Sequence, residues 1–502
     1  MTPPPTKRRY GPSLPIFTRE SSACRCRTTA WMWTMRSCSG RPSPTSTVLC
    51  SPGRRSSRPC SSPPKSCTTE VTMHKFDANG SWSRRGFLGL AGGFGAISML
   101  PGIARATGAP KRLVVVRADG GWDVTFCMDP RLSSSGVDGP DAVASGEEIA
   151  SYGGLPIMAN AVERPNMDAF FAAHAAETIV INGISVGSIV HEECRLRIAT
   201  GSRSSTSADM ACLSAVAHGS SETLPYLDLT GGGRVGPHAA MAGSLGRNNQ
   251  ILGLLDRTLE LPAPDGATFP RYTPQGGQRT ALDEYLDVRR GRFTDRLGAR
   301  AATARVDTLG AAMDRQRALM DSTLLQQGLS FGQAGSLSSQ CELAATLMAQ
   351  DFCHSASVDS GQGWDTHDDI TEQHGLFDNL FVGLNSLVDA LQVEGIWNDT
   401  IVVVISEMTR TPKLNADRGK DHWPNTSALV FGGGLDGGRV LGGTTSSTLD
   451  ALPVHLESGQ VDESRDTLIT YGRFAAGVLH AAGVDTGVFL PDEEVLHGIV
   501  DG

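Results

Sequence analysis

Short apolar runs separated by amphipathic stretches form the main pattern of the chain after residue 110. Four runs are rich in β-branched residues and end in polar or glycine-rich turns, as buried parallel strands do: 113–116, 178–182, 400–405 and 427–431. Helical periodicity predicts helices near 166–177, 281–327, 337–353, 374–394 and 467–482. This alternation predicts an α/β fold with a mainly parallel central sheet and helices on both faces.

The stretch 281–327 is long and charged compared with the other predicted helices. Leu282, Tyr285 and Leu286 share one face, while arginines and aspartates occupy the rest. We therefore expect a helical insertion at about 281–330 that packs on the domain. The alternative is a basic helix that binds a partner.

The first 72 residues have neither helical nor alternating periodicity. They contain twelve Lys and Arg, only two acids, and six of the eleven cysteines. Such a segment cannot bury enough apolar surface to offset its ordering entropy, so we expect it to be disordered. We interpret it as an extension from a start codon assigned too early, with Met73 as the true first residue. A basic interaction tail is the alternative.

Residues 73–106 have the three-part order of a secretory signal. The arginine pair Arg84 and Arg85 precedes a glycine-rich apolar stretch at 86–100, and a small-residue cleavage site follows at 104–106. The arginine pair with the Phe and Leu that follow it resembles the twin-arginine consensus. The apolar stretch is shorter than the about 20 residues that span a membrane. We predict export by the twin-arginine translocase to the periplasm or beyond, with no stable membrane span in the mature form.

The charge of the remaining part, 107–502, excludes one class of function. The whole chain carries −9, to which 1–72 contributes +10 and 73–106 contributes +3, which leaves −22 for the remainder. Nucleic-acid binding requires clustered Lys and Arg, so we expect no nucleic-acid partner. The five cysteines of this part form no metal-type pair, and we expect buried free thiols with at most one disulfide.

Carboxylates and imidazoles follow the predicted strands or lie in glycine-rich loops. They are Asp119, Asp123, His191, Asp365, His367, Glu407 and His422. Each one alone is explained by a helix cap, a turn or a structural hydrogen bond. Together they are expected to converge, because ligands bind at the carboxyl ends of parallel strands. Mixed Asp, Glu and His ligands suit Zn, Mn, Mg or Ca, and a metal pair would stabilise the oxygens of a phosphate or sulfate ester.

Several stretches carry a family resemblance: VVVRADGGWD at 114–123, GWDTH at 363–367, GIWNDTIVVVISEMTRT at 395–411, DHWPN at 421–425 and VFGGG at 430–434. On these motifs the sequence resembles the bacterial domain-of-unknown-function family 1501, whose members are similar to the alkaline phosphatase and sulfatase superfamily. The resemblance spans roughly 110–490 and implies an alkaline-phosphatase-like fold. It also implies that the metal ligands are among Asp119, Asp123, Asp365, His367, Glu407 and His422. Asp123 is the alternative to Asp119.

Two positions depart from the pattern of the relatives. Met408 follows Glu407, where the relatives have the histidine of an Asp-His pair. His191 stands nine residues before Thr200, where sulfatases have a nucleophilic Cys or Ser. An imidazole acts as nucleophile, base or metal ligand, so His191 is a predicted catalytic residue. Arg195 is the second, as a group that holds the anion, with Arg197 and Arg410 as the alternatives for that role.

Two functions follow from these residues. The first is an exported, metal-dependent hydrolase that acts on a small anionic ester of phosphate or sulfate. The second is a secreted binding or assembly protein that retains the fold without the nucleophile.

Overall fold

The computed structural model describes residues 109–244, 260–262, 268–270, 276–298, 303–321 and 335–500. The predicted extension 1–72 and export segment 73–106 lie outside the described residues. All elements below belong to the predicted domain 107–502. Within the described ranges, no helix has the length and hydropathy that crossing a membrane requires.

The strands and helices alternate along the chain. Up to residue 244 they are β1 (Arg112–Arg117), β2 (Glu148–Tyr152), β3 (Leu155–Ala159), α1 (Pro165–His174), β4 (Thr178–Ser185), α2 (His191–Thr200), α3 (Met210–His218), β5 (Tyr226–Asp228) and β6 (Ala242–Ser244). Thereafter they are β7 (Glu260–Pro262), β8 (Thr268–Pro270), α4 (Gly277–Gly298), α5 (Thr303–Asp321), α6 (Leu337–Ala349), β9 (Ser355–Asp359), α7 (Glu372–Val393), β10 (Thr400–Ile405), β11 (Thr409–Arg410), β12 (His422–Trp423), β13 (Asn425–Phe431), β14 (Arg439–Gly442), α8 (Tyr471–Ala481) and α9 (Thr486–Phe489).

One eight-stranded sheet organises the fold, in the order β14-β4-β13-β10-β1-β9-β5-β6. Its neighbouring strands are parallel except around β13, which is antiparallel to both β10 and β4. The link from β10 to β13 holds no helix, and a parallel return would need a crossover of a dozen or more residues, usually helical. The predicted α/β fold with a mainly parallel sheet is confirmed. The strand pattern did not predict the reversed direction of β13.

Helices cover both faces of the sheet, as predicted. Alternate residues of β1 enter different cores: Val114 and Val116 pack with α1, α6 and α7, whereas Leu113 and Val115 pack with α2, α3 and α8. This alternation follows from the two-residue period of a strand. A strand that is buried on both faces must be apolar throughout, which explains the continuous apolar runs in the sequence.

The stretch that was expected to form a helical insertion contains α4 and α5. Ion pairs join the two helices, from Arg290 to Asp314 at 3.0 Å and from Arg317 to Asp287 at 2.9 Å. Leu319 of α5 is buried in the same core as α6 and α7. The insertion therefore contacts the domain through α5, whereas Leu282 and Tyr285, on the apolar face that was expected to pack, are exposed.

The five cysteines within the described residues are all buried and free: Cys127, Cys194, Cys212, Cys341 and Cys353. The prediction of buried free thiols is confirmed for them.

Candidate metal centre

Three loops at the carboxyl edge of the sheet bring His191, Asp365 and His422 together. His191 is the first residue of α2 and follows β4, Asp365 follows β9, and His422 begins β12 just before β13. One ligand atom from each of the three lies within 4.8 Å of the others. Because β13 is antiparallel, the residues that precede it reach the same edge as the residues that follow the parallel strands.

A fourth side chain, His367, adjoins these three, and we call the four residues the histidine cluster. The Nε2 atoms of His367 and His422 lie 3.0 and 3.1 Å from Asp365 Oδ1. The same two nitrogens are 3.0 Å apart. His191 Nε2 lies 3.4 Å from Asp365 Oδ2. Three imidazole nitrogens therefore surround one carboxylate.

Each imidazole of the cluster is oriented through its other nitrogen. The Nδ1–H of His191 donates to Glu407 Oε1 at 2.7 Å, and that of His367 donates to Asp421 at 3.1 Å. The Nδ1–H of His422 donates to the carbonyl of Ile189 at 2.9 Å. A histidine that ligates a metal commonly donates its second N–H to a carboxylate or carbonyl in this way. The three Nε2 lone pairs are consequently those that face Asp365.

The hydrogen bonding of His191 Nε2 indicates whether the cluster suits a metal ion. This atom is buried and has no hydrogen-bond partner within the described residues. Neutral imidazoles with protonated Nδ1 present only acceptor atoms to one another and to a carboxylate, so a cation or an added proton must occupy the space between them. Imidazole and carboxylate are the ligands of divalent transition metals, and the donor set fits such an ion.

Asp365 is held in the charged form by its neighbours. Burial alone would raise its pKa, but the hydrogen bond from Arg410, the contact with His422 and the positive charge of Arg410 lower it to about 2. Arg410 is completely buried and donates to Asp365 Oδ1 at 2.8 Å. Its other donors bind the backbone carbonyls of Gly120, Gly121, Trp364 and Lys420. Arg410 therefore orients Asp365 and leaves little donor capacity for an anionic ligand.

Glu407 lies behind His191 and does not face Asp365. Its buried carboxylate accepts the backbone N–H of Gly120 at 2.9 Å, in addition to the bond from His191. Burial raises the pKa of Glu407, but these two bonds outweigh it, so the net shift is downward. The hydrogen bond that His191 donates to Glu407 raises the pKa of His191, and burial opposes this shift. Glu407 thus orients His191 through a charge-assisted hydrogen bond.

Asp119 and Arg195 stand beside this arrangement. Arg195 Nε lies 3.5 Å from Asp119 Oδ2 and 3.3 Å from Glu407 Oε1. Asp119 also pairs with Arg117, and burial, opposed by that arginine, raises the pKa of Asp119. The structure therefore places Arg195 next to Glu407, and Asp119 next to Arg195.

Asp123, the alternative to Asp119, is engaged elsewhere. Its carboxylate is fully buried and pairs with Lys420 Nζ at 2.6 Å. It also accepts the N–H and hydroxyl of Thr125 at 3.0 and 2.7 Å, which caps a short 3-10 turn. Of the predicted ligands, the structure groups Asp365, His367 and His422 with His191, while Asp119 and Glu407 border the group and Asp123 is separate from it.

Arg410 contacts Asp365 and Lys420 contacts Asp123, and the sequence predicted neither contact. Lys420 comes two residues before His422, within the stretch whose histidine was singled out. That spacing is a usable signal, since a lysine in a glycine-rich loop beside a predicted ligand is a candidate partner for a buried acid. Arg410 was one of the arginines expected to hold an anion. Its fully buried position depends on the pairing of β11 with β12 and on its hydrogen bond to the carbonyl of Gly120, which local sequence does not predict.

The chain is similar to one protein family in sequence and to several solved structures in fold. The sequence profile of a family described as proteins of unknown function, DUF1501, matches residues 110–486. No curated protein matches the chain in sequence. Among solved structures, it is similar to a sulfatase from Pseudoalteromonas sp. at 10% identity, over 78% of this chain and 72% of that chain, with a TM-score of 0.36.

Two further solved structures are similar at comparable distance. A protein in the alkaline phosphatase superfamily from Vibrio parahaemolyticus is 10% identical over 80% of this chain and 76% of its own, with a TM-score of 0.34. A phosphonate monoester hydrolase of Agrobacterium radiobacter is 13% identical over 74% of each chain, with a TM-score of 0.28. At these values the chemistry of the chain has to be argued from its own residues.

Proposed function

We propose, on the premise that the chain belongs to the DUF1501 family of proteins of unknown function, that it is a metal-dependent hydrolase of phosphate or sulfate esters. One observation supports this most strongly: the Nε2 atoms of three histidines surround the carboxylate of Asp365. Each of those histidines is oriented by a hydrogen bond from its Nδ1. A structural role alone does not require acceptor atoms to face one another at 3.0 Å.

The ligand set narrows the choice of metal. His191, Asp365 and His422 would hold the ion, with His367 adjoining them. Ca²⁺ and Mg²⁺ prefer oxygen ligands, whereas Zn²⁺ and Mn²⁺ accept imidazole with carboxylate. We therefore propose Zn²⁺ or Mn²⁺. When bound, such an ion supplies Lewis acidity to the ester oxygen and lowers the pKa of water.

The surrounding residues prepare this site for an anionic substrate. Arg410 keeps Asp365 ionised and fixed, and Glu407 holds His191 with its Nε2 toward Asp365. Arg195 adds a positive charge beside Glu407 and Asp119, in a domain that is otherwise strongly acidic. Its position supports the proposed role in attracting the anion, because opposite charge raises the local substrate concentration.

The experiment compares metal content and ester turnover in purified 107–502. We expect about one bound Zn or Mn per chain by elemental analysis, and hydrolysis of an aryl phosphate or aryl sulfate. His422→Ala and Asp365→Asn should lose both properties. His238→Ala, a half-buried histidine outside the cluster, is the matched control and should retain them. A folded protein without metal, or turnover that survives His422→Ala, contradicts the proposal.

A second candidate function is a secreted binding protein without catalysis. The first residue of α2 is His191, so neither a hydroxyl nor a thiol occupies that position. Cys194, one turn later, packs against Val186 and Met408, and burial raises its pKa to about 11. Metal content without turnover on a broad panel of phosphate and sulfate esters would favour this candidate over the hydrolase.

We also propose export through the twin-arginine translocase to the periplasm. The arginine pair at Arg84 and Arg85, followed by the apolar stretch, supports it. A reporter fused to residues 73–110 should reach the periplasm, and replacement of both arginines by lysine should retain it in the cytoplasm. Unchanged export of the double variant would contradict the proposal.

A further inference from the structure

A cavity of about 240 Å³ lies at the same edge of the sheet as the histidine cluster. The ends of β1 and β9, one face of α2 and the start of α3 enclose it. We call it the arginine cavity. Its charged lining consists of Arg117, Asp119, Glu192, Arg195, Asp209 and Arg234.

The arginine cavity shares a wall with the histidine cluster. Arg195 lines the cavity, and its Nε lies 3.3 Å from Glu407 Oε1. That same oxygen accepts the Nδ1–H of His191. Asp119, also in the lining, immediately precedes Gly120, whose N–H binds Glu407. A molecule that fills the cavity therefore lies beside the cluster, separated from it by the side chains of Arg195 and Glu407.

Arg234 is the arginine of the cavity lining that has no ion-pair partner among the described residues, whereas Arg117 and Arg195 both pair with Asp119. Its backbone is fixed to the start of α3, because its N–H donates to Asp209 Oδ2 at 2.7 Å and its carbonyl accepts the N–H of Asp209 at 2.8 Å. Its guanidinium forms no ion pair with the other described residues. The carboxylate of Asp209 also accepts from Cys212 N–H and the hydroxyl of Tyr226, and it forms no ion pair with this guanidinium.

The other charged groups add both donors and acceptors. Arg195 Nε is buried and has no hydrogen-bond partner within the described residues. Asp119 lies in the wall, and the carboxylate of Glu192 is largely exposed. Free guanidinium groups bind carboxylates in bidentate fashion, whereas carboxylates accept hydrogen bonds from hydroxyl groups. The lining as a whole suits a ligand that carries an acid and several hydroxyl groups.

We propose that the arginine cavity is a second binding site, beside the histidine cluster, for a compact hydroxylated carboxylate whose acid group pairs with Arg234. This inference goes beyond the proposed ester hydrolysis, because the side chains of Arg195 and Glu407 separate the cavity from the cluster. Arg234 is then the residue that recognises the acid group, and among the described residues it contacts neither the histidine cluster nor the groups that orient it.

Calorimetric binding of D-gluconate and D-glucitol to purified 107–502 tests the proposal. The two probes differ mainly in the carboxylate that gluconate carries. We expect the protein to bind gluconate and to bind glucitol at least tenfold more weakly. Arg234→Ala should weaken gluconate binding about tenfold or more, as loss of a hydrogen-bonded charge pair does. Arg234→Lys should recover part of the loss, and Arg203→Ala, outside the cavity lining, should have no effect.

Each other outcome overturns the proposal. Equal affinity for gluconate and glucitol would show that the carboxylate is not recognised, and unchanged affinity in folded Arg234→Ala would show that Arg234 is not its partner. Gluconate itself ligates metals, so its binding must persist in His422→Ala. Failure of this proposal is distinct from failure of the proposed function. Ester turnover with no gluconate binding overturns only the cavity, and gluconate binding without turnover overturns only the hydrolase.

Discussion

The hydrogen bond from His191 Nδ1 to Glu407 Oε1, 2.7 Å long, determines which imidazole nitrogen faces Asp365. Glu407 is buried and holds its second oxygen on the N–H of Gly120. The pair therefore fixes both the tautomer and the orientation of the ring, which is the role of carboxylates behind metal-binding histidines.

Glu407→Gln should weaken metal binding while leaving the fold intact. Glutamine keeps the size of the side chain and an acceptor oxygen, but it removes the charge that makes His191 a stronger ligand. We expect the dissociation constant for Zn²⁺ to rise about 10- to 100-fold. Competition with a chromophoric chelator measures it. Glu192→Gln, which changes an exposed acid next to His191 on α2, is the control, and equal affinities for the two variants would contradict the assigned role.

Metal removal should destabilise the protein. An ion that binds only the folded state stabilises it by about 2.7 kcal/mol at a concentration 100 times its dissociation constant. We expect a chelator to lower the melting temperature and added Zn²⁺ or Mn²⁺ to restore it, as followed by thermal denaturation. Asp365→Asn should show no response to either treatment, whereas His238→Ala should respond as the unmodified protein does. A melting temperature that is indifferent to metal would exclude a bound ion.

Gly120 should not tolerate a side chain. Its φ is +133°, and an added Cβ would lie 2.6 Å from the N atom of Trp364 and 2.8 Å from that of Asp365. Gly120→Ala should therefore lower the free energy of unfolding by about 2 kcal/mol or more and lower metal binding with it. Gly375→Ala, in α7 with open space around it, should raise the free energy of unfolding by up to about 1 kcal/mol. Chemical denaturation measures the free energy of unfolding of both variants, and similar values for Gly120→Ala and Gly375→Ala would contradict the predicted steric clash.

Arg410→Met should be strongly destabilising. The guanidinium is completely buried and donates to four backbone carbonyls as well as to Asp365. Its removal leaves buried carbonyls without partners and removes a permanent positive charge from Asp365, at a cost of about 3 kcal/mol or more. Arg465→Ala, which breaks an exposed pair with Asp462, should change stability by less than about 1 kcal/mol. Denaturant titration measures the loss of stability in both variants, and comparable losses would contradict this prediction.

Asp209 should make stability depend on pH between about 4 and 7. Burial raises the pKa of its carboxyl to about 6, although hydrogen bonds from Cys212, Arg234 and Tyr226 oppose the shift. A pKa that is raised in the folded state contributes stability below its unfolded value of 3.8, and the contribution is lost as pH rises through 6. Relative to Asp209→Asn, the free energy of unfolding should fall by up to about 3 kcal/mol from pH 4 to pH 7. Parallel pH profiles for the two proteins would contradict this.

Local sequence predicts those strands that are buried on both faces and are therefore apolar throughout. The continuous apolar runs in β1, β4 and β10 could be predicted because both of their faces are covered. By contrast β9, with the sequence SASVD, is buried and went unpredicted. Its serines are satisfied by long-range partners, such as Ser355 by the carbonyl of Ala211, and no local pattern encodes such a bond.

The candidate site was predictable in its residue types and not in its arrangement. Asp365 and His422 were expected near strand ends, and the structure brings them within hydrogen-bond distance of each other. The separation of Asp123 from the cluster could not be predicted, since it depends on its pairing with Lys420 from a distant loop. The direction of β13, which delivers His422 to this edge, is likewise a property of the assembled sheet.

The antiparallel course of β13 has a consequence for the order in which the protein matures. The groups proposed to hold the metal come from segments that meet only after β4, β9 and β13 have all joined one sheet. A partly folded chain would present at most two of them at the required distance. Metal capture would then report that the whole domain has reached its native topology, so loading with metal would mark the folded chains within a mixed population.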